Sequence, residues 1–472
     1  MSIILSDEWL VGKIGKILIK LLPVNRHGLE TDLYELTMAA AYFDNKESFE
    51  ATFELFVRNY PKNRSYLVAA GLEQAVNYLT HLRFTEDEIK FLKQHPNFRN
   101  VSNDFFQYLS KFKFTGELWA LPEGTVFFRN EPIIRVTAPI IEAQIAETYL
   151  LSVINYETLI ATKASRIVQS AREKGVVEFG SRRAHGPEAA LLAARASYIG
   201  GCIGTSNVLA GYLYNIPTYG TMAHSFIMSY DSEEEAFEKF CQVIPEPAFL
   251  VDTYDSIEGI KKVIATGQTP SMIRLDSGDR LKLSRDARKM LDRAGFKGTR
   301  IFVSGDLNEY ILNDLTSKDA PIDFFGVGTE LVTSRDDPAL QGIYKLVSVT
   351  RNGKEAYRAK TSEGKMTLPG PKQIYRKYNV KKQIREDILA LQDERIPADA
   401  RPLLLKVLEN GSLVKELPNI DEIREFAKQE LRTLPLRFLR LTGCTAPPLK
   451  LSPKLQKLAR SMWSKHGSGS RG

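Results

Sequence analysis

Hydrophobic positions between residues 176 and 350 come in short bursts, each closed by small or charged residues and followed by a stretch of helical period. Val176-Val177-Glu178-Phe179, Phe249-Leu250-Val251-Asp252, Ile273-Arg274-Leu275-Asp276 and Ile301-Phe302-Val303-Ser304 are mostly apolar until their polar ends. Such runs suit strands buried on both faces of a parallel sheet. The bursts end near Phe179, Met222, Asp252, Asp276, Asp306 and Thr329, at spacings of 43, 30, 24, 30 and 23 residues. That is the scale of one strand plus one crossover helix. Ser256 is placed to cap a helix through Ile257, Ile260, Val263 and Ile264. Ser284 similarly precedes Ala287, Met290 and Leu291, with Gly295 as the stop. Six units that each put polar residues at a strand's end predict a (β/α) barrel, with an open α/β sheet as the alternative. In both, ligands bind at the carboxyl ends of the strands.

Elsewhere the pattern is mixed. Phe53-Glu54-Leu55-Phe56-Val57 and Glu117-Leu118-Trp119-Ala120-Leu121 are strand-like, and residues 72–79 between them are helical, which predicts an α+β flanking domain over residues 30–150. The barrel is drawn over 151–350. Residues 344–379 return to strands and Gly/Pro turns, and Ile420, Ile423, Phe426 and Leu431 mark a late helix. Residues 351–440 are therefore expected to return to the N-terminal domain. Two ends remain, an extra segment over 1–29 and a tail over 441–472 expected to be loose at its end.

Composition adds little until it is located. At 43% hydrophobic and 26% charged residues, the 472-residue chain is an ordinary globular one. No apolar run is long enough to span a bilayer. Cys202, Cys241 and Cys444 are odd in number and form no CxxC, which favours a reducing, cytoplasmic setting without disulfides. The net charge of +7 comes from the tail: nine Lys and Arg and no acid follow Glu430, leaving residues 1–430 near neutral. Such a tail can hold nucleic acid or anionic lipid; a solvated terminal segment is the plainer reading, and nothing resembling a nucleic-acid module accompanies it. At the other end Ile14, Ile17, Leu18, Leu21 and Leu22 share a helical face flanked by Lys13, Lys16 and Lys20. Such a stretch can lie on a membrane surface, but is more often a docking helix or an added leader; the interrupting lysines and the preceding Asp7 and Glu8 speak against a secretory signal.

The polar ends suggest anion chemistry. Gly326-Val327-Gly328-Thr329 and Ser304-Gly305-Asp306 let backbone N–H groups approach a phosphate. In Arg274-Leu275-Asp276-Ser277-Gly278-Asp279, the two aspartates suit ribose hydroxyls or a hydrated Mg²⁺, and Arg274 suits an aromatic ring or a carboxylate; an internal Arg–Asp ion pair is the plain alternative. Arg182 and Arg183 offer bidentate phosphate contacts or are ordinary surface residues. Of six histidines, His224 alone closes a predicted barrel strand, between Thr221 and Ser225, where imidazole serves as base or nucleophile.

Read together, these motifs resemble the nicotinate phosphoribosyltransferase family. The similarity runs from Thr31-Asp32-Leu33-Tyr34-Glu35-Leu36-Thr37 and Asn63-Arg64-Ser65-Tyr66 through Glu178-Phe179-Gly180-Ser181-Arg182-Arg183, Gly204-Thr205-Ser206-Asn207 and Gly220-Thr221-Met222-Ala223-His224-Ser225. It continues through Leu250-Val251-Asp252-Thr253-Tyr254-Asp255 and the Arg274, Gly326 and Ser362-Glu363-Gly364-Lys365 segments. The resemblance implies the irregular α/β barrel of type II phosphoribosyltransferases, working as a head-to-tail dimer with shared active sites. It implies that nicotinate joins 5-phosphoribosyl 1-diphosphate to give nicotinate mononucleotide and diphosphate, the first step of NAD salvage from nicotinate. Mg²⁺ and ATP are implied as well, with ATP hydrolysed through a phosphohistidine at His224; no protein ligand to the metal is assigned.

By the same resemblance, Phe179 forms one wall of a pyridine sandwich, and Tyr34 with nearby Asp32 forms the other from the partner subunit. Arg182 contacts phosphate or diphosphate, Arg274 the ring or its carboxylate, and Asp276 the ribose diol, while Ser304, Gly305, Asp306, Gly326, Gly328 and Thr329 surround the 5′-phosphate. Ser206 stands where nicotinamide-using relatives carry aspartate, and a hydroxyl can donate to a carboxylate that an aspartate would repel. The expected substrate is therefore the acid. The rivals are a nicotinamide-using enzyme, a quinolinate-using relative and a catalytically silent nucleotide binder.

Overall fold

A computed structural model of the chain describes residues 27–362, 365–395 and 399–467. The amphipathic stretch over 13–22, the Glu363-Gly364 pair and the last five residues lie outside these.

Six short parallel strands form the predicted sheet. Their order is Gly204–Thr205, Gly175–Glu178, Phe324–Val327, Arg300–Val303, Met272–Leu275 and Ala248–Leu250. Their apolar side chains, among them Val177, Leu250, Ile273, Leu275, Ile301, Val303 and Phe325, are completely buried between helices. The strand expected to end at Met222 is absent. Residues 216–223 form no strand and touch the sheet through one bridge, Thr205 to Thr218. Pro217 has no N–H to give a ladder, and Gly220 adds no packing. The ring is thus left irregular between Thr205 and Ala248.

Two helix starts differ from expectation. The helix Ser256–Ala265 is capped by Asp255, whose carboxylate accepts from the N–H groups of Ile257 and Glu258 at 2.9 Å each. Asp279 caps Arg280–Arg293 by accepting from Lys282 N–H at 3.1 Å. A carboxylate is the charged acceptor at a positive helix end, so it takes the cap one residue ahead of Ser256 and five ahead of Ser284. Ser284 is buried inside its helix, which ends at Gly295 in the left-handed conformation.

The flanking sheet has seven antiparallel strands in the order Lys354–Tyr357, Gly342–Arg351, Glu50–Val57, Pro132–Pro139, Glu117–Ala120, Leu405–Glu409 and Ser412–Leu413. Gly342–Arg351, drawn with the barrel from its sequence position, pairs with Glu50–Val57 from Thr350 opposite Glu50 to Gly342 opposite Val57. A third sheet holds Arg401–Pro402, Lys372–Tyr378, Ile384–Leu391 and Leu449–Leu451. The basic tail belongs to it. Leu449–Leu451 pairs with Ile384–Leu391, and the helix Pro453–Gly467 follows with Leu455 and Ala459 buried. Lys454 pairs with Asp393 at 2.6 Å, and Lys450 pairs with Glu386.

One hydrophobic core fills the flanking domain and another the barrel. The 25-residue helix Glu147–Ala171 contributes to both. No helix among the described residues is long and apolar enough to cross a membrane.

Candidate active site

The carboxyl ends of the parallel strands open into a cavity of about 530 Å³. Phe179, Arg182, Ser206, His224, Arg274, Asp276, Ser304, Gly305, Asp306, Gly326, Gly328 and Thr329 all line it, with Ser181, Arg183 and Thr221. A larger cavity, about 960 Å³, lies in the flanking domain beside Phe43, Phe49 and Tyr108. Convergence of polar groups, rather than volume, selects the barrel cavity for chemistry.

Arg274 organises the floor. Its guanidinium donates through Nε to Ser304 Oγ at 2.8 Å, through Nη1 to Thr221 Oγ1 at 2.9 Å and through Nη2 to Asp276 Oδ1 at 2.7 Å. It also lies 5.9 Å from the Phe179 ring centroid. The internal ion pair therefore coexists with an aromatic contact. Ser304 Oγ donates to the same Asp276 oxygen. Burial alone would raise the Asp276 carboxyl, but Arg274, the Ser304 hydroxyl and nearby His224 hold it below the usual carboxylate range. Asp276 is thus an ionised acceptor at neutral pH. Its Oδ2 faces His224 Nε2 at 4.0 Å.

His224 opens the short helix His224–Met228, and its side chain is 45% exposed. Its Nδ1 lies 3.2 Å from Thr253 Oγ1. A proton on Nδ1 donated to that hydroxyl leaves the Nε2 lone pair facing the cavity. Behind Asp276 sits buried Asp252, whose Oδ2 accepts from Asp276 N–H and Ser277 Oγ at 2.8 Å each. Its Oδ1 is buried without a partner among the described residues.

The Ser304-Gly305-Asp306 turn needs its glycine. Gly305 has φ +87°, and a Cβ there would lie 2.0 Å from Asp276 O. Arg280 braces the turn by donating to Gly305 O at 2.5 Å. A Cβ on Gly326 would strike the Phe302 ring at 2.7 Å and the Phe179 ring at 2.9 Å. That glycine admits the stacked aromatic pair, whose centroids are 5.2 Å apart. Asp279, by contrast, is occupied as a helix cap and does not line the cavity.

Glu178 joins two neighbouring strand ends. It is fully buried, and its carboxylate accepts from Gly180 N–H and, at 2.5 Å, from Thr205 Oγ1. Burial pushes its pKa up against those two hydrogen bonds. The clamp fixes Phe179 on one strand relative to Ser206 on the next, whose N–H donates to Glu178 O at 2.9 Å. Ser206 Oγ has no hydrogen-bond partner among the described residues.

Tyr34 and Asp32 lie apart from this cavity. Tyr34 is 45% exposed on the helix Leu33–Asp44, and Asp32 accepts from Thr148 Oγ1 at 3.0 Å. Near the cavity, the helix Val208–Tyr214 that follows Ser206 leaves Val208 and Tyr212 about three-quarters exposed.

The sequence alone assigns no site role to Asp252, Thr253, Glu178 or Arg280. Asp252 closes a predicted strand, which was a usable signal. Glu178 reads as one polar residue in an apolar run, and only the sheet shows its two partners.

Residues 29–155 match the nicotinate phosphoribosyltransferase N-terminal domain family, 160–336 the quinolinate phosphoribosyl transferase C-terminal domain family, and 396–459 the nicotinate phosphoribosyltransferase C-terminal domain family. A nicotinate phosphoribosyltransferase of Mycobacterium tuberculosis is 44% identical over 92% of this chain and 93% of its own. One of Bacillus subtilis is 39% identical over 90% of this chain and 92% of its own. The crystal structure of human nicotinic acid phosphoribosyltransferase superposes with a TM-score of 0.83 at 28% identity, covering 92% of this chain and 99% of that one.

Proposed function

The chain belongs to the nicotinate phosphoribosyltransferase family, and from that premise we propose that it joins nicotinate to 5-phosphoribosyl 1-diphosphate, coupled to ATP hydrolysis through a phosphohistidine at His224. One observation carries the reading: Arg274 and Asp276 from one strand end, the Gly305 turn from the neighbouring one, and His224 from the start of a short helix converge on a single cavity. In the reaction the pyridine nitrogen attacks C1 of the ribose as the C1–O bond to diphosphate breaks. Positive charge grows on the sugar while negative charge gathers on the leaving group, so catalysis is chiefly positioning and electrostatics.

The roles follow from position. Phe179 supports the pyridine, Arg274 binds its carboxylate or ring edge, and ionised Asp276 accepts from the ribose diol. The Gly305 and Gly328 turns take the 5′-phosphate, joined by Ser304, Asp306, Gly326 and Thr329. Exposed Arg182 meets diphosphate. Nε2 of His224 attacks the γ-phosphorus of ATP, ADP leaves, and hydrolysis later returns the imidazole and inorganic phosphate.

Among the described residues no three His, Cys, Asp or Glu side chains cluster as a metal site. Asp276 Oδ2, on the cavity wall, nonetheless suits a hydrated Mg²⁺ that takes its other ligands from diphosphate and water. Bound there, Mg²⁺ would neutralise diphosphate charge.

Exposed Tyr34 and the bare apolar helix Val208–Tyr214 support a homodimer in which Tyr34 and Asp32 complete the partner's site. Three free cysteines suit a reducing cytoplasm. The unpartnered Ser206 hydroxyl favours the acid over the amide. Turnover with nicotinate, phosphoribosyl diphosphate and Mg²⁺, with and without ATP, tests the proposal on wild type and His224→Ala. Mononucleotide from wild type, with ATP stimulation lost in the variant, is expected. No product from wild type under either condition would transfer the chain to the silent binders.

A further inference from the structure

A third cavity, about 730 Å³, lies where the C-terminal segment closes over the flanking domain, and it shares no residue with the barrel cavity. Phe56, Phe128, Leu368, Pro448, Leu449 and Trp463 give part of its wall an apolar, partly aromatic surface. Three cations reach it, Arg64, Arg129 and Lys372, yet none of the described residues lining it carries a carboxylate.

Two of those charges are answered from behind. Lys372 Nζ lies 2.8 Å from Glu54, and Arg64 pairs with Asp336 at 2.7 Å. Arg129 is different. It makes no ion pair among the described residues, and its guanidinium lies 5.9 Å from the Tyr60 ring centroid.

We propose that this cavity is a second small-molecule site, built for an amphipathic monoanion: an apolar, ring-bearing body with one carboxylate, sulfonate or similar group. Exposed Arg129 supplies the single uncompensated charge. Glu54 and Asp336 already neutralise Lys372 and Arg64, so one cation is left to balance a ligand, which disfavours inorganic phosphate and polyphosphates. The volume lies within the range of small-molecule pockets.

The test uses the full chain and two fluorescent probes of similar shape, anionic 8-anilinonaphthalene-1-sulfonate and uncharged N-phenyl-1-naphthylamine. Each is titrated with and without phosphoribosyl diphosphate. The sulfonate should bind saturably at one per chain, undisturbed by phosphoribosyl diphosphate. Arg129→Gln should weaken the sulfonate at least tenfold and leave the neutral dye unchanged. Ala446→Trp, which fills the cavity, should abolish both. Displacement by phosphoribosyl diphosphate would place the dye in the barrel cavity and overturn the proposal. So would sulfonate binding indifferent to Arg129→Gln, or an equal loss of both dyes in that variant, whatever Ala446→Trp does.

Discussion

The two large sheets of this molecule solve opposite problems. The parallel sheet is built almost in sequence order from residues 175–327, and each strand delivers its polar end to the same rim. The flanking sheet gathers strands from residues 50–57, 117–139, 342–357 and 405–413, and shows no convergence of that kind. At its seam with the barrel, charges are turned inward instead. Arg195, fully buried on the helix Pro187–Ile199, binds Glu123 through two N–H donors at 2.7 and 2.8 Å, with Glu73 at 2.6 Å and Glu157 at 3.0 Å. That cluster ties the barrel's helices to the flanking domain. A side chain at a parallel strand's end is thus open to ligands, whereas one at the seam between domains is consumed by the structure.

The sharpest way to break this contrast is Arg195→Met. It leaves Glu123 and Glu157 buried without their cation, and removing one partner of a buried ion pair costs about 3–5 kcal/mol. A large fall in the thermal midpoint is expected, whereas a fall of under a degree would mean that the cluster does not hold the domains together. Gly305→Ala acts on the other side. Its Cβ would force the turn away from the Asp276 carbonyl, and a displacement near 1 Å costs about 100-fold. kcat/KM for phosphoribosyl diphosphate should drop by that factor while circular dichroism stays unchanged. Normal kinetics would remove the turn from the phosphate site.

Ser206→Asp sharpens the comparison within the rim. It should shift the ratio of kcat/KM values from nicotinate towards nicotinamide by about tenfold or more, the worth of one polar contact. An unchanged ratio would show that selectivity resides elsewhere.

The smallest expected effect is on pH. Glu35, fully buried in the flanking domain, has its carboxyl pushed up to about 7 by burial, against hydrogen bonds from Thr148 and Thr31. The folded chain then holds a proton that an unfolded carboxyl releases near pH 4.3, so stability falls as pH rises from there to about 7. Glu35→Gln should flatten that slope, narrowing the difference in thermal midpoint between pH 5 and 7.5 by about 2 °C. An unaltered slope would mean that another group titrates.

Legibility differed between the same two regions. Five of six bursts ending in polar residues are parallel strands, because a strand buried on both faces leaves a continuous apolar run with an abrupt end. The sixth failed at Pro217, where a missing N–H outweighed the run. In the flanking domain, Gly342–Arg351 followed the barrel in sequence but joins Glu50–Val57 in space. No local signal announces a partner almost three hundred residues away. The same limit hid Leu449–Leu451 inside a tail that composition described only as basic.

By itself the sequence determined the alternation of strands and helices, the polar strand ends and the family to which those motifs belong, since each is written in neighbouring residues. Only the tertiary structure decided that Arg274 holds Ser304, Thr221 and Asp276 together, that Asp252 lies beneath them, and that Glu178 clamps Phe179 against Ser206. It alone separated Asp276, whose carboxylate faces the cavity, from Asp279, spent on a helix cap three residues later. Charge and residue type are local properties, but the partner that consumes or frees a charged group is chosen by the packing of distant segments.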